Sequence, residues 1–420
     1  MRTLLLCAAA LAMLAPCPRA RGGEALEVYA RGDYAAVVEL LEPAYRAGEA
    51  KIQDRLLLAR AYLHLDRSEE GLAVLRSVLE SDRENPEANG LTGRVLLERG
   101  KHQEAIPYLE HAYRLKQEPA VAAALGQCYH ALGQDTQAKV YLEKALQEDV
   151  RNPANSFLLG TICLRRGLGA LAEKYLLMAQ EAGQEGPELH LLLGRAYLLE
   201  RKLLGPILVR RVPGEPKPGD IVDGHVVLRR IEGVAGRYQV CTRFSALHEG
   251  LRVLETRPEE PDGLYMVAAG WLAAGRAELA EAHLARLQKL QPASPRVAEL
   301  RARALLAAGR LADLEAWLEE GRGKKLFDAR TAADFYYRAA IDRRAAGQRA
   351  EAIRLLQKAE SLAPTSGKVL ASLAGLAAAM GRHERARRTY ARMVELFPDA
   401  PDVDEWRNAL SVLAEKGGQR

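Results

Sequence analysis

The chain has 420 residues, is rich in alanine, leucine, arginine and glutamate, and contains only 5% aromatic residues. That composition favours helix over sheet on propensity alone. The formal charge of +5 falls to +2 once Arg2, Arg19 and Arg21 are assigned to a leader, which excludes nucleic acid as the default partner.

Residues 1–22 read as a secretory leader. Arg2 gives a positive start, Leu4 to Ala15 is an apolar run, and Ala20-Arg21-Gly22 offers small residues for cleavage. The run is too short to span a bilayer, and nothing later reaches membrane length. Leu14-Ala15-Pro16-Cys17 loosely resembles a lipobox, so a lipid anchor at Cys17 is an alternative that the proline before the cysteine weakens.

A repeat begins after the leader. Gly100, Gly133 and Gly167 fall 33 and 34 residues apart. Seven residues before each stands Gly93, Gly126 or Gly160; five after stands Ala105, Ala138 or Ala172; twelve after stands Ala112, Ala145 or Ala179. Pro86, Pro119, Pro153 and Pro187 keep the same spacing and read as helix starts, where a missing N–H costs nothing. Counted backwards, the ruler reaches Asp66 and Gly32, giving repeats over roughly 24–47 and 50–83. Cys128 and Cys163 fall on the packed side of first helices and read as small buried apolar groups, a disulfide being the alternative.

The ruler predicts a turn at Arg201, then breaks, and resumes at Gly275, which is two periods and 40 residues after Gly167. About 40 residues, 203–243, are therefore read as inserted between two helices of the sixth repeat, with its second helix at Ser245–Thr256. Ile207-Leu208-Val209, Val226-Val227-Leu228 and Tyr238-Gln239-Val240 are β-type runs separated by turn signals. They predict a three-stranded meander or hairpin leaning on the helices. The segment carries Arg210, Arg211, Lys217, Arg229, Arg230, Arg237 and Arg243 against four acidic residues. It reads either as a basic module for an anionic glycan, lipid headgroup or substrate, or as a plug or spacer. Cys241 lies here.

Beyond it the ruler passes Gly309, Gly347 and Gly381; the step to Gly347 is 38, which predicts a four-residue loop extension near Gly321–Lys325. A final helix, Asp402–Glu415, reads as a polar cap on an open stack.

A fixed period of 34 with small residues at these offsets resembles the tetratricopeptide-repeat family over most of the chain. The resemblance implies an all-α fold: a right-handed α-solenoid of about ten helix pairs with a small β-rich insertion and a C-terminal capping helix. The expected segments are a leader (1–22), repeats (24–202), the insertion (203–243), repeats (244–400) and the cap (401–420). The resemblance also implies a concave face lined by first helices. At the family's contact positions, six and ten residues before each turn, stand Arg60, Arg94, Gln127, Arg195 and Arg303, with Phe157, Tyr265 and Tyr337, expected as exposed aromatics beside basic groups. With His130 these form the expected partner-binding set, and Arg210, Arg211, Arg229, Arg230 and Arg237 form the insertion's basic patch. Arginine beside aromatic groups suits a peptide groove. Family members that clamp a peptide carboxylate use lysine and asparagine at these places, and the matching asparagine is missing here.

No HExxH, Walker loop, GxSxG or CxxC occurs. His102 and His111 are too far apart to share a helix face as ligands, and no carboxylate–histidine cluster is expected around His225 or His248. The sequence thus reads as an exported, non-enzymatic scaffold without cofactor or metal, binding a protein or peptide in the cell envelope. The basic insertion as binding module, or an accessory subunit of an envelope enzyme or export complex, are the alternatives.

Overall fold

The computed structural model describes residues 18–417. The apolar run and Cys17 of the expected leader lie outside them. The chain divides into two compact units at Glu185 and Gly186.

The first unit pairs α1 (Pro18–Ala30) with α2 (Tyr34–Arg46), α3 (Ile52–His64) with α4 (Ser68–Ser81), and α5 (Pro86–Glu98) with α6 (His102–Leu115). It continues with α7 (Pro119–Ala131) and α8 (Asp135–Glu148), then α9 (Pro153–Arg165) and α10 (Gly169–Glu181). Local chemistry sets both ends of these helices. Proline stands in the first turn of α5, α7 and α9, and Asn85 and Asn152 cap α5 and α9 by accepting from Ala88 N (3.0 Å) and Asn155 N (3.1 Å). At the other end the chain must turn left-handed, as Gly133 does at φ +72°. The Gln134 N–H then donates back to the Tyr129 carbonyl at 2.8 Å, closing the Schellman-type bond that satisfies an orphaned carbonyl. The expected turn positions 66 and 201 adopt φ +57° without being glycine.

Helix pairs cross closely at the second glycine of three successive repeats. A Cβ on Gly93, Gly126 or Gly160 would stand within 2.6 Å of Leu109, Leu142 or Leu176, respectively. Those leucines are fully buried, and each such burial contributes about 1.5–3 kcal/mol. Because every pair shares its apolar faces with its neighbours, the core runs along the stack.

The second unit holds α11 (Pro187–Leu199), four strands, and then α12 (Ala246–Thr256). It proceeds through α13 (Pro261–Ala273), α14 (Ala277–Leu290), α15 (Pro295–Ala307), α16 (Leu311–Gly323), α17 (Ala329–Ala345), α18 (Arg349–Leu362), α19 (Gly367–Ala379) and α20 (His383–Leu396) to α21 (Val403–Gly417). The strands are β1 (Ile207–Arg211), β2 (Ile221–Val222), β3 (His225–Arg230) and β4 (Arg237–Cys241), all antiparallel in the order β1-β4-β3-β2.

Two expectations need correction. The sheet is not a sequential three-stranded meander: β1 pairs with β4, Leu208 opposite Val240, and a short fourth strand pairs β3. The reason is burial. Val226 and Cys241 join Leu247, Val267 and Trp271 in one helix-facing core, while Val212, Val227, Tyr238 and Val240 form a second small cluster on the opposite face. The four-residue extension is also not a loop. The α16 helix runs through Gly321 to Gly323, and α17 has 17 residues where other first helices have 13. Asp328, accepting from Thr331 N at 2.6 Å, starts that extra turn.

Candidate functional site

In the first unit, α3, α5 and α7 line a groove of about 510 Å³. Arg60, Arg94 and Lys116 face Glu87, Glu98 and Glu118 across it, with Tyr29, His64 and Gly90. The charges are partly spent on each other. Arg60 reaches Glu87 at 2.7 Å and Lys116 reaches Glu118 at 2.6 Å. Arg94 has no ion pair among the described residues. His64 is fixed by a 3.0 Å contact of Nε2 with the Tyr29 hydroxyl and by stacking on Tyr34 at 4.2 Å. Burial raises the Tyr29 hydroxyl above its ordinary pKa, with the Arg60 charge opposing.

A second groove, of about 1000 Å³, lies within the second unit along α15, α17 and the start of α19. Arg303, Arg330, Arg338 and Lys368 outnumber Glu299 and Asp334 there. Asp334 takes the Lys368 ammonium and the Arg338 guanidinium (2.7 Å for the latter). Burial tends to raise that carboxyl, but the two cations hold it below its ordinary value. Arg303 keeps no ion pair among the described residues.

The grooves thus contain Arg60, Arg94 and Arg303 from the expected set, and the other members stand elsewhere. Arg195 donates through Nε and Nη2 to Asp262 at 2.8 and 2.6 Å. His130 meets Arg165, which also binds Asp135; burial and then the Arg165 charge lower its pKa. Gln127 and Phe157 are half-buried. Tyr265 and Tyr337 are half-buried too, not exposed: they pack against the helix core, beneath Arg296 at 3.7 Å and Lys368 at 5.0 Å. The aromatic–cation pairing expected of a ligand site is in these two cases made inside the chain.

In the insertion's patch Arg210 meets His225 at 3.3 Å and Arg229 donates to Gln239 at 2.7 Å. None of Arg210, Arg211, Arg229, Arg230 and Arg237 has an ion pair among the described residues.

The sequence reading missed one cluster. Glu249 on α12 is buried and bonds His190 Nδ1 at 2.6 Å and His248 Nδ1 at 3.0 Å, so His248 does stand in a carboxylate–histidine group. Burial works to raise the Glu249 carboxyl, and the two histidines overcome it, leaving the pKa lowered. His190 lies 59 residues away on α11, a separation no local motif would reveal. The cluster has no metal-holding geometry, and none exists elsewhere among the described residues. Cys128, Cys163 and Cys241 are buried and unbridged. Among the described residues no helix is long and apolar enough to cross a membrane.

Three tetratricopeptide-repeat models match the chain, over residues 56–120, 121–149 and 343–413. No curated protein matches. Among solved structures the chain is similar to PilF of Pseudomonas aeruginosa, with 20% identity over 44% of this chain and 84% of that one, at a TM-score of 0.39. It is similar to PilW, a type IV pilus biogenesis factor, with 19% identity over 44% and 86%, at 0.38. MamA of Desulfovibrio magneticus RS-1 follows with 18% identity over 39% and 94%, at 0.37.

Proposed function

We propose, from the premise that the chain belongs to the tetratricopeptide-repeat family, that it is an exported, non-enzymatic scaffold whose first-helix grooves hold an extended segment of a protein partner in the cell envelope. Its repeats make it a protein-interaction scaffold; export and envelope rest on the leader-like residues 1–22. The observation that carries the groove reading is the charge state of the groove in the first unit. Its cations and carboxylates balance in number, yet Arg94 is left without an ion-pair partner among the described residues, beside the fixed Tyr29–His64 pair. A guanidinium without an ion pair among the described residues, in a groove that Gly90 helps to line, offers planar donors to a carboxylate or peptide carbonyl.

The test replaces Gly90 with a photo-crosslinking residue and identifies what envelope extract leaves attached, with and without Arg94→Glu. Adducts that depend on Arg94 support the reading. Identical adducts from both chains, or none above an irradiated control, overturn it.

A second reading has its own observation. We read residues 203–243 as an insertion whose arginines, without an ion pair among the described residues, bind an anionic ligand such as a glycan or lipid headgroup. Steering of that kind weakens as salt rises.

A further inference from the structure

We propose that the outer edge of β1 is a docking site for an extended acidic peptide of a partner protein, added to the sheet as a fifth strand. The inference concerns the same arginines as the second reading but not the helix grooves, and it names a different event: backbone pairing, not charge contact alone.

The edge is defined by the ladder. β1 is terminal in the sheet order, so one of its sides has no strand. Thr242 N donates to Pro206 O at 3.2 Å and Val212 N donates to Gly236 O at 2.9 Å, which turns the even-numbered residues of β1 toward β4. Alternation then points the N–H and C=O groups of Ile207, Val209 and Arg211 away from the sheet. Those groups have no partner among the described residues. Pro206 and Pro213 bracket the open stretch and fix its length.

The side chains are open to solvent as well, although Arg210 also meets His225 at 3.3 Å. All five residues of β1 are exposed, including Ile207, Leu208 and Val209 at 51, 41 and 53%. An apolar, open edge is normally blunted or covered because it templates pairing with another chain. Here the ladder sets Arg210 opposite Tyr238 and Arg211 opposite Arg237, with Arg229 and Arg230 on the next strand but one. That concentration of unpaired positive charge selects the occupant. A second copy of β1 would bring two such groups together and is disfavoured by repulsion. A strand with acidic residues opposite Arg210 and Arg211 and apolar ones opposite Ile207 and Val209 satisfies both halves of the edge. Strand addition supplies affinity through the main chain and specificity through such alternate positions.

The probe is a fluorescein-labelled peptide of two glutamates followed by valine, threonine and valine, written so that antiparallel addition sets the glutamates against Arg211 and Arg210. Its comparator carries the same charges with N-methyl groups on the first, third and fifth residues, which removes the donors that face β1. Fluorescence anisotropy with the full chain should show saturable binding of the probe, and binding of the comparator weaker by about tenfold or more. Val209→Pro should weaken the probe similarly, because that N–H serves no bond to β4 and a proline is tolerated on an open edge. Arg210→Glu with Arg211→Glu should weaken both peptides. Equal binding of probe and comparator would overturn strand addition and leave only anion binding, the second reading above. A concentration-dependent dimer abolished by Val209→Pro, without probe binding, would assign the edge to a second copy instead. Failure of the probe to bind at millimolar concentration overturns the proposal outright.

Discussion

Gly126 and Gly375 make opposite predictions from the same substitution. A Cβ at Gly126 on α7 would lie 2.5 Å from Leu142 Cγ, 2.7 Å from its Cδ2 and 3.3 Å from the Ala138 carbonyl oxygen. Leu142 is fully buried, and the nearest atom is its branch point, so no simple rotation moves it aside. Replacing glycine with alanine in a helix gains about 1 kcal/mol of propensity, while overpacking a filled core costs about 1–3 kcal/mol. Gly126→Ala should therefore destabilise α7 and α8 by about 1 kcal/mol. Gly375 on α19 is exposed and has nothing within 4 Å of its Cβ position. Gly375→Ala should stabilise α19 and α20 by about 0.5–1 kcal/mol through propensity alone. A global melting midpoint blurs local openings in a repeat stack, so the assay is native-state hydrogen exchange read helix by helix. Combining Gly126→Ala with Leu142→Ala should cost less than the sum of the two, since the new methyl enters the space the leucine leaves. Greater protection of α7 and α8 in Gly126→Ala would refute the close-crossing argument.

Other groups give sharper chemical readouts. Glu315 on α16 accepts from Arg354 and from Lys358 (2.6 Å) on α18, and the Arg354 bond above all lowers its pKa to about 2. A lowered carboxyl stabilises the fold above its ordinary value of about 4.3 and stops doing so as pH falls through the folded one. Glu315→Gln should weaken α16 and α18 at pH 7, and the difference should shrink between about pH 4 and pH 2; a difference that persists in acid would point to packing instead. Glu249→Gln should open α11 and α12 by about 1–3 kcal/mol at neutral pH, seen as lost exchange protection, because the buried His248 and the half-buried His190 lose an ionised acceptor. Burial raises the thiols of Cys163 and Cys241 and pushes that of Cys128 up to about 11. A chain starting at Gly23 should show no fast thiol toward Ellman's reagent at pH 8 and all three in denaturant.

The repeat was legible because it is written in backbone requirements. A left-handed turn selects glycine, a first helical residue tolerates proline, and a close crossing selects a residue without a side chain. These three demands recur at fixed offsets, so periodicity exposes them even where Asp66 or Arg201 replaces the glycine. The sheet was legible only as strands. Its order depends on which apolar residues two opposite faces need, and the pairing of Ile207 with Cys241 spans 34 residues with no turn signal that favours it over a neighbour. The extra turn of α17 was hidden for a similar reason: a four-residue excess looks the same in a loop and in a helix until Asp328 is seen capping it.

The arginine row shows how a groove could have been read more finely. Arg60 is neutralised by Glu87, the second residue of the next first helix, 27 positions on. Arg195 is neutralised by Asp262, which holds the same place in α13, 67 positions on across the strands. An acid in that first turn is doubly favoured, by the helix dipole and by the arginine of the preceding repeat. For Arg94 the corresponding residue of α7 is Ala120, and for Arg303 position 330 is itself arginine. Availability of each arginine is thus decided by the repeat that follows it. Ala120→Glu should pin Arg94 as Glu87 pins Arg60, without altering Arg94 or the helix start. An exposed pair of this kind is worth about 0.2–1 kcal/mol, so competition should weaken an Arg94-dependent partner by up to about fivefold. The effect should fade at high salt, where the pair is screened. If Ala120→Glu leaves crosslinking from Gly90 unchanged while Arg94→Glu abolishes it, the internal pairing does not control the groove and the rule fails.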